Sequence, residues 1–260
     1  MKPLFISLLL VFCITITTYS NDCAVSGQGG RWQLLKGEHN SIQMISEIVN
    51  MSVFMENSGA EGELRYKVVA TFIFKNHGKA QTVKMGFPES SYGDYDGGFL
   101  YFHTWVNGQE VTASRSIIDS SAGDSSAITP FNPDSSDYED GFDAFWVKDV
   151  SFNENETKTI TVEYMSPVNN GIAVLGNGTD YWVSYDFTGG NWFGKVEESK
   201  VIVEIPIKYK ILSAGIYDDS EEKKLANFSK TKLNDKYILT STIKDWQAEG
   251  KLNIKFKDKR

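Results

Sequence analysis

The dominant signal along the chain is a two-residue alternation of apolar and polar positions, the period of a strand that buries one face. From Glu63 to Lys75, Tyr66, Val68, Ala70, Phe72 and Phe74 share one face. Val69, Thr71 and Ile73 make the opposite face apolar too, which predicts a central strand covered on both sides. Ile160, Val162 and Tyr164 alternate with Thr159, Thr161 and Glu163. From Ser199 to Ile211, Val201, Val203, Ile205, Ile207, Tyr209 and Ile211 alternate with mainly polar neighbours, so one long half-buried strand is predicted. Pro206 on its outward face predicts an edge or a bulge, because proline donates no ladder hydrogen bond. Near the end, Leu252, Ile254 and Phe256 alternate with Lys251, Asn253, Lys255 and Lys257. Those lysines suit a strand that must refuse edge-to-edge pairing.

Turn residues punctuate these runs. Asn107-Gly108 separates Thr104–Val106 from Gln109–Val111 and predicts a two-residue hairpin, since Asn-Gly supplies the positive φ angles such turns need. Asn76–Lys79 and Asn153–Glu156 predict two further turns. Helical periodicity is nearly absent; Asp219–Phe228 is the best candidate, for one or two turns. No repeat of 20–50 residues is visible, which disfavours solenoids and propellers. Residues Ala113–Asp140, rich in Ser, Asp, Gly and Pro, predict one long acidic loop, and loops of that length are functional or disordered. A softer boundary falls at Pro167–Asn170. The pattern predicts an all-β protein, an antiparallel β-sandwich with two packed lobes as one option. A first lobe spans 21–166, and a strand-rich part spans 167–260 and shares the same core or packs beside it.

The N-terminus changes the picture from fold to compartment. Lys2 precedes an apolar run, Leu4–Ile16, followed by small and polar residues, which reads as a signal peptide over residues 1–20 with cleavage after Ser20. The run is shorter than the roughly 20 residues a membrane span needs, and no apolar run after it reaches that length. Export to the periplasm, cell surface or medium is expected. Of the two cysteines, Cys13 lies in the signal, so Cys23 has no intramolecular partner and the core alone must stabilise the fold. A lipid anchor at Cys23 is disfavoured by Asp22 directly before it, where a small residue is wanted. Without Lys2, 25 basic residues face 34 acidic ones, which argues against nucleic acid and against a polybasic membrane patch.

Several phrases together carry a resemblance: Ser41–Val53, Phe72–Glu89, Phe102–Val111, Asn155–Pro167 and Tyr185–Pro206. Over roughly residues 38–210 the chain resembles a family of exported bacterial proteins known only as domain of unknown function 4424. The matching elements are Met44 with Glu47, then Gly86, Phe87 and Pro88, then Thr188, Gly189, Trp192 and Gly194. The resemblance implies a secreted or envelope β protein and brings no catalytic residue with it.

Candidate chemistry is sparse. Gly189–Val196 nearly spells a phosphate-binding loop, with Gly189, Gly194 and Lys195 in place. Val196 stands where a metal-binding hydroxyl belongs, however, and a strand follows rather than a helix. A tight turn is the better reading. The aromatic run Tyr181, Trp182, Tyr185, Phe187, Trp192 and Phe193 suits stacking on sugar faces, with core packing the plainer alternative. Tyr181, Trp182, Tyr185 and Trp192 are the candidate ligand-binding residues. Asp134, Asp137, Glu139, Asp140 and Asp143 supply many oxygens for Ca²⁺, which takes about six to eight, although the EF-hand spacing is not matched; a solvated loop is the alternative. The three histidines, His39, His77 and His103, lack metal-ligand spacing, and Gly-x-Ser-x-Gly is missing. The expectation is an exported, non-enzymatic binding or assembly module whose partner is an envelope protein or a surface polysaccharide, with no cofactor other than Ca²⁺ as an option. A hydrolase using carboxylates that sequence cannot pair is the remaining alternative.

Overall fold

The computed structural model describes residues 23–28, 31–34, 41–57, 62–89, 98–117, 144–172, 179–218 and 223–259. In chain order the strands are β1 (Cys23–Gln28), β2 (Arg31–Leu34), β3 (Ile42–Glu56), β4 (Glu63–Asn76), β5 (Gln81–Glu89) and β6 (Tyr101–Val106). Then come β7 (Gln109–Val111), β8 (Ser114–Ile117), β9 (Ala144–Phe152), β10 (Thr157–Pro167), β11 (Asn169–Ile172) and β12 (Thr179–Thr188). After a 3₁₀ turn at Gly189–Asn191 follow β13 (Val196–Pro206), β14 (Tyr209–Tyr217), β15 (Lys224–Ala226), β16 (Ser229–Leu233), β17 (Lys236–Trp246) and β18 (Glu249–Asp258). The protein is all-β, as the alternation predicts.

Three sheets pack together. An eight-stranded sheet runs β16-β17-β13-β3-β4-β10-β6-β7, and two five-stranded sheets run β2-β1-β5-β9-β8 and β11-β12-β18-β14-β15. Among the described residues the pairings are antiparallel except β3 with β13, which run parallel (Val49 opposite Val201). One buried cluster joins all three sheets. The large sheet contributes Met51, Val68, Phe72, Val162 and Val203; the smaller sheets contribute Val83, Met85 and Phe152, and Val183, Leu252 and Ile254. Burying each such side chain contributes about 1.5–3 kcal/mol. The boundary expected near Pro167 falls inside this architecture. The eight-stranded sheet takes β3, β4, β6, β7 and β10 from before it and β13, β16 and β17 from after it.

The turns act as corners between sheets. Asn76–Lys79 carries the chain from β4 in the large sheet to β5 in a small one, and Asn153–Glu156 carries it back from β9 to β10. Both corners meet at fully buried Asn76. Its Nδ2 donates to the carbonyls of Lys79 (2.8 Å) and Asn153 (2.9 Å). Its Oδ1 accepts from the Gly78 amide (3.0 Å), the Ser41 hydroxyl (3.0 Å) and Gln81 Nε2 (3.2 Å).

Four expectations are corrected. The strand predicted over Ser199–Ile211 breaks after Pro206; Ile207 and Lys208 turn the chain out of the large sheet, and Tyr209 opens β14 in another. Period two continues through the break because both strands bury the same parity. The opposite face of β4 is not closed over, since Val69, Thr71 and Ile73 are only half-buried. The lysine-bearing β18 lies inside its sheet, between β12 and β14, not at an edge. In the described part of the predicted helix, Lys224–Ala226 is a strand. The acidic loop lies mostly outside the described residues, although its first residues, Ser114–Ile117, form β8.

Candidate functional site

The eight-stranded sheet has two faces, and among the described residues only one packs on the smaller sheets. On β6 the alternation puts Thr104 in the interior, with Phe102 and Val106 packed against the core, and sends Tyr101, His103 and Trp105 the other way. The Asn107-Gly108 turn holds this strand at the margin of the sheet. Asn107 has φ 51° and Gly108 φ 78°, as a two-residue hairpin requires. Asn107 is pinned to β10 from both sides: its amide donates to the Thr159 carbonyl (2.7 Å), and its Oδ1 accepts from the Thr159 amide (2.9 Å).

Register then decides what surrounds the rings. Trp105 lies opposite Thr161 and Glu110, His103 opposite Glu163, and Tyr101 opposite Met165. One strand further in stand Thr71, Val69 and Lys67. Tyr101 and His103 have ring centroids 5.5 Å apart, and His103 and Trp105 5.9 Å apart at 29°. The row is fixed by charge. Tyr101 donates to Glu163 Oε1 (3.1 Å), and Lys67 Nζ sits 3.0 Å from Glu163 Oε2. His103 Nδ1 and Glu110 Oε1 are 2.7 Å apart. Burial, with Glu163 beside it, pushes the Tyr101 phenol up to about 12. An open cleft of about 430 Å³ lies alongside, lined by His103, Glu110 and Thr112 among others.

Chemically this is three half-exposed aromatic rings in line, with two held carboxylates, a lysine and a pair of threonine hydroxyls (Thr71 and Thr161, 3.4 Å) around them. Rings of this kind offer apolar faces with a polar rim, and carboxylates accept strong hydrogen bonds from hydroxyl donors. From sequence, Thr104–Val106 reads only as a hairpin arm. The Tyr-x-His-x-Trp spacing is the available signal, but Phe102, Thr104 and Val106 give the other face equal apolar weight, so the outward side is not legible.

The residues predicted for ligand binding are separated by the fold. Tyr185 and Trp192 are core residues, and Trp192 meets Phe74 edge-on at 4.9 Å. Phe187 is buried against Trp246. Tyr181 packs on Phe256 and donates to Asp258 Oδ2 (3.3 Å). Trp182 projects from the other face of β12, over Gly171, where a β-carbon would lie 3.3 Å from its ring. The four share no groove, because the strand alternation that buries Tyr185 turns Trp182 away. The acidic residues Asp134, Asp137, Glu139, Asp140 and Asp143 lie outside the described residues.

The near-phosphate loop is a structural joint. Gly189 donates to Ala248 O (2.8 Å), Trp192 to Gly189 O (3.1 Å) and Phe193 to Ile42 O (2.9 Å), so these amides are engaged within the protein. A β-carbon on Gly189 would lie 2.5 Å from Met44 Cε, so the segments around Met44 and around Thr188–Gly194 interlock through packing.

A second charged cluster lies beside the end of β5, in β8 and in β9. Glu89, buried, accepts from Arg115 Nε (3.0 and 3.1 Å) and Nη2 (2.6 Å), and from Trp146 Nε1. A β-carbon at Gly98 would strike this carboxylate, so glycine is required by close approach. Its role is to tie β5, β8 and β9 together.

No family model matches the chain, and no curated protein sequence is similar to it. Among solved structures, a "putative nutrient binding protein" from Legionella pneumophila aligns with a TM-score of 0.64 at 16% identity, covering 92% of this chain and 70% of that one. An M1 zinc metallopeptidase from Deinococcus radiodurans aligns with a TM-score of 0.43 at 10% identity, covering 86% of this chain and 44% of that one. The first likeness shows a shared all-β fold; the second is too slight to carry an argument. Among the described residues no helix is long and apolar enough to cross a membrane.

Proposed function

We propose that this chain is an exported, non-enzymatic binding module of a bacterial cell envelope that holds a surface polysaccharide on the outer face of its large sheet. The observation that carries the reading is the row Tyr101–His103–Trp105, on a face against which, among the described residues, no other sheet packs. Pyranose rings present C–H faces that pack on aromatic rings, and their hydroxyls donate to carboxylates such as Glu110 and Glu163. The N-terminal segment and the family resemblance support export. The name of the Legionella protein, whose fold is similar, fits a binding role. Fold alone does not assign the ligand, so the site carries the assignment.

The test is titration of the purified protein with a panel of neutral polysaccharides, read by calorimetry. Binding of at least one, weakened about tenfold or more by Trp105→Ala (roughly 1.4 kcal/mol) with the melting temperature kept, supports the reading. Binding that survives Trp105→Ala and Tyr101→Ala unchanged overturns this site.

A further inference from the structure

The chain is acidic overall, with a formal net charge of −8, yet its charge is not evenly spread. Residues 207–260 hold 13 of the 26 basic residues and only 8 of the 34 acidic ones. Topology gathers several of these at one end of the sandwich. The turn after β13 carries Lys208, and the chain just past β18 carries Lys259; the Lys259 amide donates to the Lys208 carbonyl (3.0 Å). The neighbouring turn from β16 to β17 is tied in by the Ile207 amide, which donates to Asp235 O (2.8 Å). Edge strand β16 adds Lys230 and Lys232, with Lys232 opposite Tyr237 in register.

Tyr237 stands at the centre. Lys259 Nζ reaches its hydroxyl at 3.0 Å and its ring centroid at 4.9 Å, and Lys230 Nζ lies 5.1 Å from the same centroid. Lys208 Nζ lies 5.0 Å from the Tyr209 ring. All four lysines are exposed. Among the described residues, the carboxylates nearby include Glu204, committed to Lys236 at 2.6 Å, Asp258, which accepts from Tyr181, and Asp235 in the turn. The hydrogen bond from Lys259, with Lys230 and Lys232 beyond it, holds the Tyr237 phenol below its ordinary value.

Lysines at a strand edge are a known guard against aggregation. That accounts for Lys230 and Lys232 on β16. It does not account for Lys208 and Lys259, which come from other elements and are joined through the backbone, Lys259 over Tyr237 and Lys208 over Tyr209. Ammonium groups are point charges on flexible stems, without the planar fork with which arginine matches one carboxylate. Such a set suits successive phosphate groups along a chain.

We propose that the tip formed by Lys230, Lys232 and Lys259 around Tyr237, with Lys208 joined to Lys259 through the backbone, is a second binding site, for a phosphate-bearing anionic polymer. It is independent of the aromatic row. Inorganic polyphosphate is the probe, with poly-glutamate and anionic phospholipid vesicles as the other arms, using the full chain at low and moderate salt. Polyphosphate is expected to bind, to weaken steeply with salt, and to lose about tenfold in affinity or more in a Lys230→Ala/Lys232→Ala/Lys259→Ala variant. The control variant Lys84→Ala/Lys195→Ala, away from the tip, keeps full affinity. Absence of polyphosphate binding at low salt, equal loss in the control, or tighter binding to poly-glutamate or vesicles than to polyphosphate overturns the proposal. Neutral-polysaccharide titration of the same lysine variant, expected unchanged, keeps the two sites' tests apart.

Discussion

Asn76 shows how much one side chain can organise. Fully buried itself, it satisfies carbonyls in two corners and accepts three donors from partly exposed partners. Removing it breaks five hydrogen bonds that join the two corners, each contributing about 0.5–1.5 kcal/mol. Asn76→Ala is therefore expected to lose about 3 kcal/mol or more in urea unfolding, and a loss under about 1 kcal/mol would show that the corners are held by something else. The aromatic residues divide by the same logic. Trp192→Ala opens a cavity in the core and is expected to cost about 3–5 kcal/mol, whereas Trp105→Ala, on the open face, leaves the unfolding midpoint nearly unchanged. A Trp105 variant as destabilised as the Trp192 variant would mean that Trp105 belongs to the core. At this scale sequence can weigh Trp192 as core or ligand but cannot decide. Its neighbour Phe193 is exposed, and the switch between them follows a 3₁₀ turn, where neither strand nor α-helix period applies.

Among the elements, the β6–β7 hairpin is legible because Asn-Gly states its own turn geometry. Nothing lies within 4 Å of a β-carbon placed on Gly108, so Gly108→Ala suffers only from its positive φ. The expected cost is about 1 kcal/mol by urea unfolding, with no new clash; an effect near zero would mean that the turn relaxes to another type. The long strands are legible for a similar reason, since a period of two sustained along a run such as Glu63–Lys75 suits a strand and no helix. What sequence does not supply is where strands change sheets. Pro206 marks an irregularity, but alternation carries on through Ile207 and Tyr209 as if the strand continued. The parallel pairing of β3 with β13 joins distant parts of the chain, Val49 to Val201, and leaves no local trace.

For the whole molecule, three tyrosines in different places share one electrostatic condition. Burial pushes Tyr66, Tyr101 and Tyr209 up to about 12, with Asp186, Glu163 and Asp258 adding to it. Below pH 10 both folded and unfolded chains keep these protons. Between about 10 and 12 the unfolded chain releases them while the native protein does not, so the native state binds more protons and stability falls as pH rises. Melting temperature is expected to drop across that window, with phenolate absorbance from these three residues appearing together with unfolding. Titration of every tyrosine near 10 with the fold intact would contradict it. The division of charge between the ends of the chain is present in the sequence, but only the topology brings Lys208, Lys230, Lys232 and Lys259 to one end of the sandwich.

The most direct test of polysaccharide binding on the large sheet is a calorimetric titration of the wild type and of Trp105→Ala with the polysaccharide the panel selects. The predicted result is saturable binding by the wild type, about tenfold weaker or undetectable in the variant, with superimposable unfolding curves. Equal affinity in the two proteins would contradict it and remove the outer face of the large sheet as the binding surface.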